Sequence, residues 1–173
     1  MLPLTLVLAL GPNGELGLKG GLPWPKIPDD MRRFREITMG RPVIMGRVTW
    51  EGLPEKFRPL PGRTNIVVTR NRNWTPGPSC PAMIAYTLEA AITAARQEHE
   101  DPCVIGGAEL YKQAWPLATR VFLTEVQGES FEADTFLRTQ DLETARFRLT
   151  ELAWLSAVVN THPGARFLQL DRI

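Results

Sequence analysis

The first residues in this chain that could do chemistry are two adjacent acids at the start of a helix. Along Gly20-Gly21-Leu22-Pro23-Trp24-Pro25-Lys26-Ile27-Pro28-Asp29-Asp30-Met31-Arg32-Arg33-Phe34, a glycine-rich loop passes three prolines around a tryptophan and becomes helical. Pro28 suits a first helical position. Asp30, Phe34 and Ile37 then fall at i, i+4 and i+7 on one face. Phe34 and Ile37 mark that face as buried, so Asp30 is a carboxylate on the apolar side of a helix beside a mobile loop. Such an acid is costly unless paired, and burial raises its pKa. A plainer account is equally available at this point: both acids sit in a first turn, where the helix dipole favours anions.

Two further stretches offer sites for anions. Pro42-Val43-Ile44-Met45 is a short buried strand that turns through Gly46-Arg47-Val48-Thr49-Trp50-Glu51 into a helix. Cys103-Val104-Ile105 likewise runs into Gly106-Gly107-Ala108-Glu109-Leu110-Tyr111. A strand, a glycine and a helix start together leave backbone N–H groups free for an anion. Arg47 stands beside the first corner, and Arg70 follows the strand Thr64 to Thr69, at the end where ligands gather in open α/β sheets. No Gly-Lys-Ser/Thr follows a glycine loop and no G-x-G-x-x-G occurs, so the common nucleotide fingerprints are absent.

Composition narrows the class. With 43% apolar and 23% charged residues, the 173-residue chain has ordinary soluble composition and the length of one domain, residues 1–173. The net charge of +1 hides an asymmetry: residues 1–86 carry 12 basic and 6 acidic side chains, and residues 87–173 carry 8 and 13. A basic first half suits small anionic ligands, and the Lys/Arg blocks that would indicate nucleic acid are missing. Cys80 and Cys103 form no C-x-x-C pair, and His99 and His162 stand apart, so no metal site is expected. Leu2 to Leu10 is too short to span a bilayer and lacks a basic leader, which points to a strand in a cytoplasmic protein.

The elements that must hold these residues follow from periodicity. Leu4 to Leu10 is apolar throughout, as a strand covered on both faces should be. Gly11 to Leu22 has five glycines in twelve residues and reads as a loop able to act as a lid. Ala82 to Tyr86 is a strand, and Thr87 to Glu100 an amphipathic helix capped by Thr87. Arg120 to Val126, Phe147 to Leu155 and Arg166 to Leu170 are strands without intervening helix, the last two forming an antiparallel hairpin. The fold class is therefore α/β, a mostly parallel central sheet flanked by helices with an antiparallel C-terminal hairpin.

Taken in order, these motifs resemble the dihydrofolate reductase family over nearly the whole chain. The resemblance is carried by Leu22-Pro23-Trp24 with Pro28-x-Asp30 and Phe34, by Pro42 to Glu51, by Leu60-Pro61-Gly62-Arg63-x-Asn65-Ile66, by Val104 to Ala108 with Tyr111, by Leu123-Thr124 and by Asp134-Thr135-Phe136. It implies reduction of 7,8-dihydrofolate with NADPH by a cytoplasmic monomer that binds small molecules and neither nucleic acid nor membrane. Asp30 looks like the family's acid for the pterin ring, Thr124 the hydroxyl that steadies it, and Trp24 the indole that anchors a water, with Leu22 beside them on the lid. Met31, Phe34, Leu53 and Leu60 would wall the substrate site, and Val7 and Ile105 would offer backbone carbonyls. Arg63 would grip the folate α-carboxylate with Arg35 and Arg58 nearby. On the cofactor side the resemblance implies Ala9, Leu16, Gly17, Gly20 and Gly21 near the nicotinamide. Gly46, Arg47, Val48 and Thr49, Thr69 and Arg70, and Gly106, Gly107, Ala108, Glu109, Leu110, Tyr111 and Gln113 would take the rest, across a cis Gly106–Gly107 bond.

Several positions depart from the family pattern. Gly20-Gly21 replaces an asparagine common before the Leu-Pro-Trp motif, and Leu22 a methionine. Glu109 and Tyr86 stand where some members carry Arg and Lys, which leaves the NADPH 2′-phosphate to Arg47 and Arg70. Leu53 to Phe57 is longer than in compact bacterial members. Two other readings stay open on the sequence: a pyrimidine reductase of riboflavin synthesis with the same fold, and a non-catalytic pterin or nucleotide binder.

Overall fold

The computed structural model describes every residue except 79, 139, 141 and 143–145. Its frame is an eight-stranded sheet in the order β5-β4-β3-β6-β1-β7-β10-β9. These strands are β1 (Thr5–Leu10), β3 (Val43–Gly46), β4 (Asn65–Val68), β5 (Met83–Ala85), β6 (Cys103–Gly106), β7 (Arg120–Val126), β9 (Phe147–Leu155) and β10 (Ala165–Arg172). The first six in spatial order run parallel, and β10 is antiparallel to both β7 and β9. The mostly parallel sheet with an antiparallel end is thus the architecture the sequence pattern called for.

The alternation of side chains explains how both faces are filled. Leu4, just ahead of β1, and Leu6, Leu8 and Leu10 on it join Ile44, Ile66, Val104, Val121 and Leu123 in one apolar cluster. Helices α3 (Leu88–Ala95) and α4 (Ala108–Ala114) cover it with Leu88, Ala91, Ile92, Leu110 and Ala114. Val7, Val43, Met45, Val67 and Cys103 point the other way, into a cluster with Trp50 of α2 (Arg47–Gly52) and with Phe34 and Ile37 of α1 (Pro28–Thr38). Central β1 serves both clusters, which is why its sequence is apolar apart from Thr5, whose buried hydroxyl donates to Asp101 at 3.0 Å.

Three expectations need correcting. Helix α3 stops at Ala95 rather than Glu100, because the chain tightens into turns in which Gln97 and Glu98 donate to carbonyls three residues back. Within α1 only Thr38 is buried; Asp30, Phe34 and Ile37 are half-buried, since their face covers a cavity and not solid core. Gly11 to Leu22 is also more ordered than its composition suggested. Within it β2 (Glu15–Gly17) pairs antiparallel with β8 (Thr135–Phe136), and Leu18 bridges to Gly21. A three-residue strand paired with a distant two-residue one leaves no periodic signal.

Glu15 is the anchor of that small sheet. It is 1% exposed, and its carboxylate accepts from the Asn13 amide at 2.7 Å, the Asn13 side chain at 3.1 Å and the Phe131 amide at 3.1 Å. Burial pushes its pKa up, but the backbone and Asn13 donors outweigh that and hold it below the ordinary glutamate value. A carboxyl with a depressed folded-state pKa adds stability that is present above the unfolded pKa and lost as pH falls through the folded one. Glu15→Gln should therefore cost about 1–2 kcal/mol at neutral pH. Urea unfolding repeated at about pH 3 should find the gap to wild type closed.

Candidate active site

A cleft of about 1460 Å³ opens along the C-terminal ends of β1, β3, β4 and β6. Parallel strands, with chain connections diverging to either side of β1, leave a crevice at this place. Helix α1 forms one wall, the glycine loop a second, and the starts of α2 and α4 the floor.

Asp30 lies on the α1 wall. Its Oδ1 accepts a hydrogen bond from the Thr124 hydroxyl at 2.6 Å, across 94 positions of sequence. Thr124, on β7, is buried and lines the cleft, as does Asp30. Burial raises the Asp30 pKa, while the Thr124 hydrogen bond and the charge of Arg33 draw it part of the way back. The other first-turn acid has a separate fate: Asp29 pairs on the exposed side with Arg32 at 2.8 Å. Trp24 is buried against Phe131 with rings edge-on at 5.5 Å. Its indole N–H reaches the cleft lining without a hydrogen-bond acceptor among the described residues.

Most of the residues singled out from sequence meet in this cleft. Val7, Met31, Phe34, Leu53 and Ile105 line it around Asp30, and Leu22, exposed on the loop, faces it. Ala9, Leu16, Gly17, Gly20 and Gly21 border it, with Gly46 to Thr49, Thr69, Arg70, Gly106 to Tyr111 and Gln113 along the far half. The Val7 carbonyl is already in use, accepting from the buried Tyr111 hydroxyl at 2.7 Å. Tyr111 thereby ties α4 to β1, and its burial pushes its pKa well up.

Four residues lie outside the lining. Leu60 is buried in the apolar cluster beneath α1, where its amide donates to Asn65 at 2.9 Å. Arg35 is exposed on α1, and Arg58 follows the short 3-10 turn Glu55–Phe57 with a buried Nε. Arg63 sits behind the wall, not in it. It donates to the Thr38 hydroxyl at 2.8 Å and the Pro61 carbonyl at 3.0 Å, with its guanidinium 5.9 Å from the centre of the Phe34 ring. These neighbours hold the fork in place beside the wall residue Phe34.

The far half fits a phosphorylated dinucleotide. Neither Gly46 nor Gly107 caps its helix with a side chain, so the first N–H groups of α2 and α4 stay available to an anion. Gly106 has φ of +143°, and a Cβ there would come within 3.0 Å of the Thr49 hydroxyl, so the corner accepts glycine and little else. The Gly106–Gly107 bond is cis. Arg47 and Arg70 are exposed at the rim, Arg47 lying 4.0 Å from Glu51. Glu109 accepts from Gln113 at 3.1 Å.

Sequence reasoning passed over several lining residues. Lys19 donates its amide to Asp134 at 2.7 Å, which fastens the glycine loop. Across the cleft the same loop presses on α2, where a Cβ on Gly52 would run into the Gly20 carbonyl. Arg33, Phe122 and Phe167 also face the cleft. The positions of Phe122 and Phe167 depend on strand register, for which the chain carries no local signal.

Comparison with known proteins agrees with this geometry. The family model described as dihydrofolate reductase matches residues 3–170. The chain is 43% identical to the dihydrofolate reductase of Mycobacterium leprae over 136 residues, covering 79% of this chain and 75% of that one. It is also 43% identical to that of Neisseria meningitidis serogroup B over 141 residues, 82% of each. Among solved structures, the Enterococcus faecalis dihydrofolate reductase complexed with NADP(H) and RAB-propyl superposes with a TM-score of 0.82 at 26% identity, covering 98% of this chain and 96% of that one. With an acid bonded to a buried hydroxyl at one end of the cleft, a glycine corner at the other, and a family match across both, the chain belongs to the dihydrofolate reductase family.

Proposed function

We infer that this chain reduces 7,8-dihydrofolate to 5,6,7,8-tetrahydrofolate with NADPH as its cofactor. The observation that carries the reading is the Asp30–Thr124 hydrogen bond at 2.6 Å inside the cleft that also holds the Gly106–Gly107 corner. NADPH, when bound, supplies the hydride for C6 of the pterin. Gly46 to Thr49 and Gly106 to Gln113 would hold its pyrophosphate, and Arg47 and Arg70 its 2′-phosphate.

The protein's own residues handle binding and the proton. Asp30 accepts the pterin N3–H and 2-amino group as a bidentate pair. The Thr124 hydroxyl fixes which way that carboxylate faces. Asp30 does not reach N5; its buried charge favours the pterin that is protonated there. Trp24 offers its indole N–H to the water that carries the proton, and the Gly20 to Leu22 loop sets when water enters. A cytoplasmic monomer that binds small molecules is the working form in this reading.

The test is dihydrofolate-dependent loss of NADPH absorbance by the purified chain, repeated with methotrexate. Turnover that methotrexate blocks is expected. Either no turnover or no inhibition overturns the reading.

A further inference from the structure

Arg33 is a cation of the cleft that takes no part in the proposed reaction. Arg33 follows Asp30 by three positions on α1, so both occupy one side of the helix. It is half-buried and lines the cleft. Its guanidinium carbon lies 4.5 Å from the centre of the Phe167 ring. Phe167, on β10, is the register partner of Thr124 on β7, and Thr124 is the residue whose hydroxyl bonds Asp30. A long stem lying over an aromatic face, with the charge above the ring, holds an arginine in place by packing and by cation–π attraction. The cation is thus seated beside the strand position that holds the buried acid.

We propose that Arg33 is a positioning residue whose charge, seated on Phe167, keeps the buried Asp30 ionised so that it can meet the pterin as an anion. This rests on the reading of Asp30 as the pterin acid. The Thr124 hydrogen bond favours the Asp30 anion first, and among charged groups the task falls to Arg33. From β7 Asp30 meets the neutral Thr124, and the ring of Phe167 on β10 lies beside that strand position. Its sequence neighbour Asp29 is engaged by Arg32 on the exposed side. The other charged residues along the cleft are Lys19, Lys26, Arg47, Arg70, Glu89, Glu109 and Asp134, while Arg33 is the one whose charge lowers the Asp30 pKa against the pull of burial. An arginine suits the position because it stays cationic at any working pH and lies flat on a ring.

The experiment follows the Asp30 side-chain carboxyl by carbon-13 NMR in the ligand-free full chain across pH, with Asp30→Asn assigning the signal. Arg33→Gln and Arg33→Met remove the charge, and Met keeps an apolar stem over Phe167. Both should raise the Asp30 midpoint by about 0.5–1 pH unit. Arg33→Lys, which restores the charge, should return it close to wild type. An unmoved midpoint in Gln and Met overturns the proposal, as does a Lys variant displaced as far as they are, because packing and not charge would then be at work. If Arg33 grips substrate instead, the Michaelis constant rises while the midpoint stays put, and the proposal fails. Failure of the functional reading would be seen separately, as absence of dihydrofolate turnover in the wild type whatever the titration gives.

Discussion

Asp30→Asn should fold, stand slightly hotter than wild type, and lose roughly 10²–10⁴-fold in turnover at neutral pH. The two halves of this result have one cause. Burial raises the Asp30 pKa in the folded chain above its unfolded value. The carboxylate therefore opposes folding at neutral pH. That cost is absent below the unfolded pKa, where both states hold the proton, and grows as pH rises from the unfolded toward the folded value. Asparagine keeps a similar shape, still accepts from the Thr124 hydroxyl and carries no charge to desolvate, so the melting temperature of the ligand-free variant should rise above neutrality and match wild type in acid. On the proposed mechanism, the same neutrality removes the anion that would favour the N5-protonated pterin. The variant then depends on pterin protonated in solution, and its rate should climb steadily as pH falls. A steady-state pH profile together with thermal melts checks both halves. An unchanged rate at neutral pH would remove Asp30 from the mechanism.

Arg63→Ala should raise the Michaelis constant for dihydrofolate by roughly 30- to 10³-fold, the equivalent of about 2–4 kcal/mol for a lost charge-assisted pair. The turnover number should change little, because a grip on the distant carboxylate is equal in ground and transition states. The guanidinium is held before any substrate arrives, by the Thr38 hydroxyl at 2.8 Å and the Pro61 carbonyl at 3.0 Å, over the edge of Phe34. Burial and the neighbouring Arg35 pull its pKa down, yet an arginine remains charged throughout the working range. Arg63→Lys should recover only part of the loss, since a point charge cannot present a planar fork. A dihydropterin lacking the glutamate should bind wild type and variant alike. If it discriminates between them, Arg63 acts through the fold of the wall and not through a carboxylate.

The places where sequence reasoning held and where it failed have physical reasons. The Pro28 start of α1, the Thr87 cap that accepts from Ala90 at 3.1 Å, and the strands β7 and β9 were legible because each signal lies within a few residues. The pairing of β2 with β8 was not, because its few residues meet across more than a hundred positions and have no pattern of their own. Glu15 illustrates the same limit. A glutamate in a glycine-rich loop gives no hint of being 1% exposed, because the donors that make burial tolerable arrive from Asn13 and from the distant amide of Phe131.

By itself, the sequence determined the class of sheet, the glycine corners, and the family through motifs in a fixed order. It also placed Asp30 on a helix face with Phe34. Whether that acid merely sat in a favourable dipole or faced a site was decided only by tertiary structure. Helix spacing says which side chains share a face, but strand register says what stands opposite. Packing of α1 over the sheet put Asp30 against Thr124, register put Phe167 beside Thr124, and with Phe167 came the seat for Arg33. The turn before β4 set Arg63 outside the lining, against Thr38 and the Phe34 ring. These placements depend on which residues meet across the sheet, a property of the packed whole that no window of sequence contains.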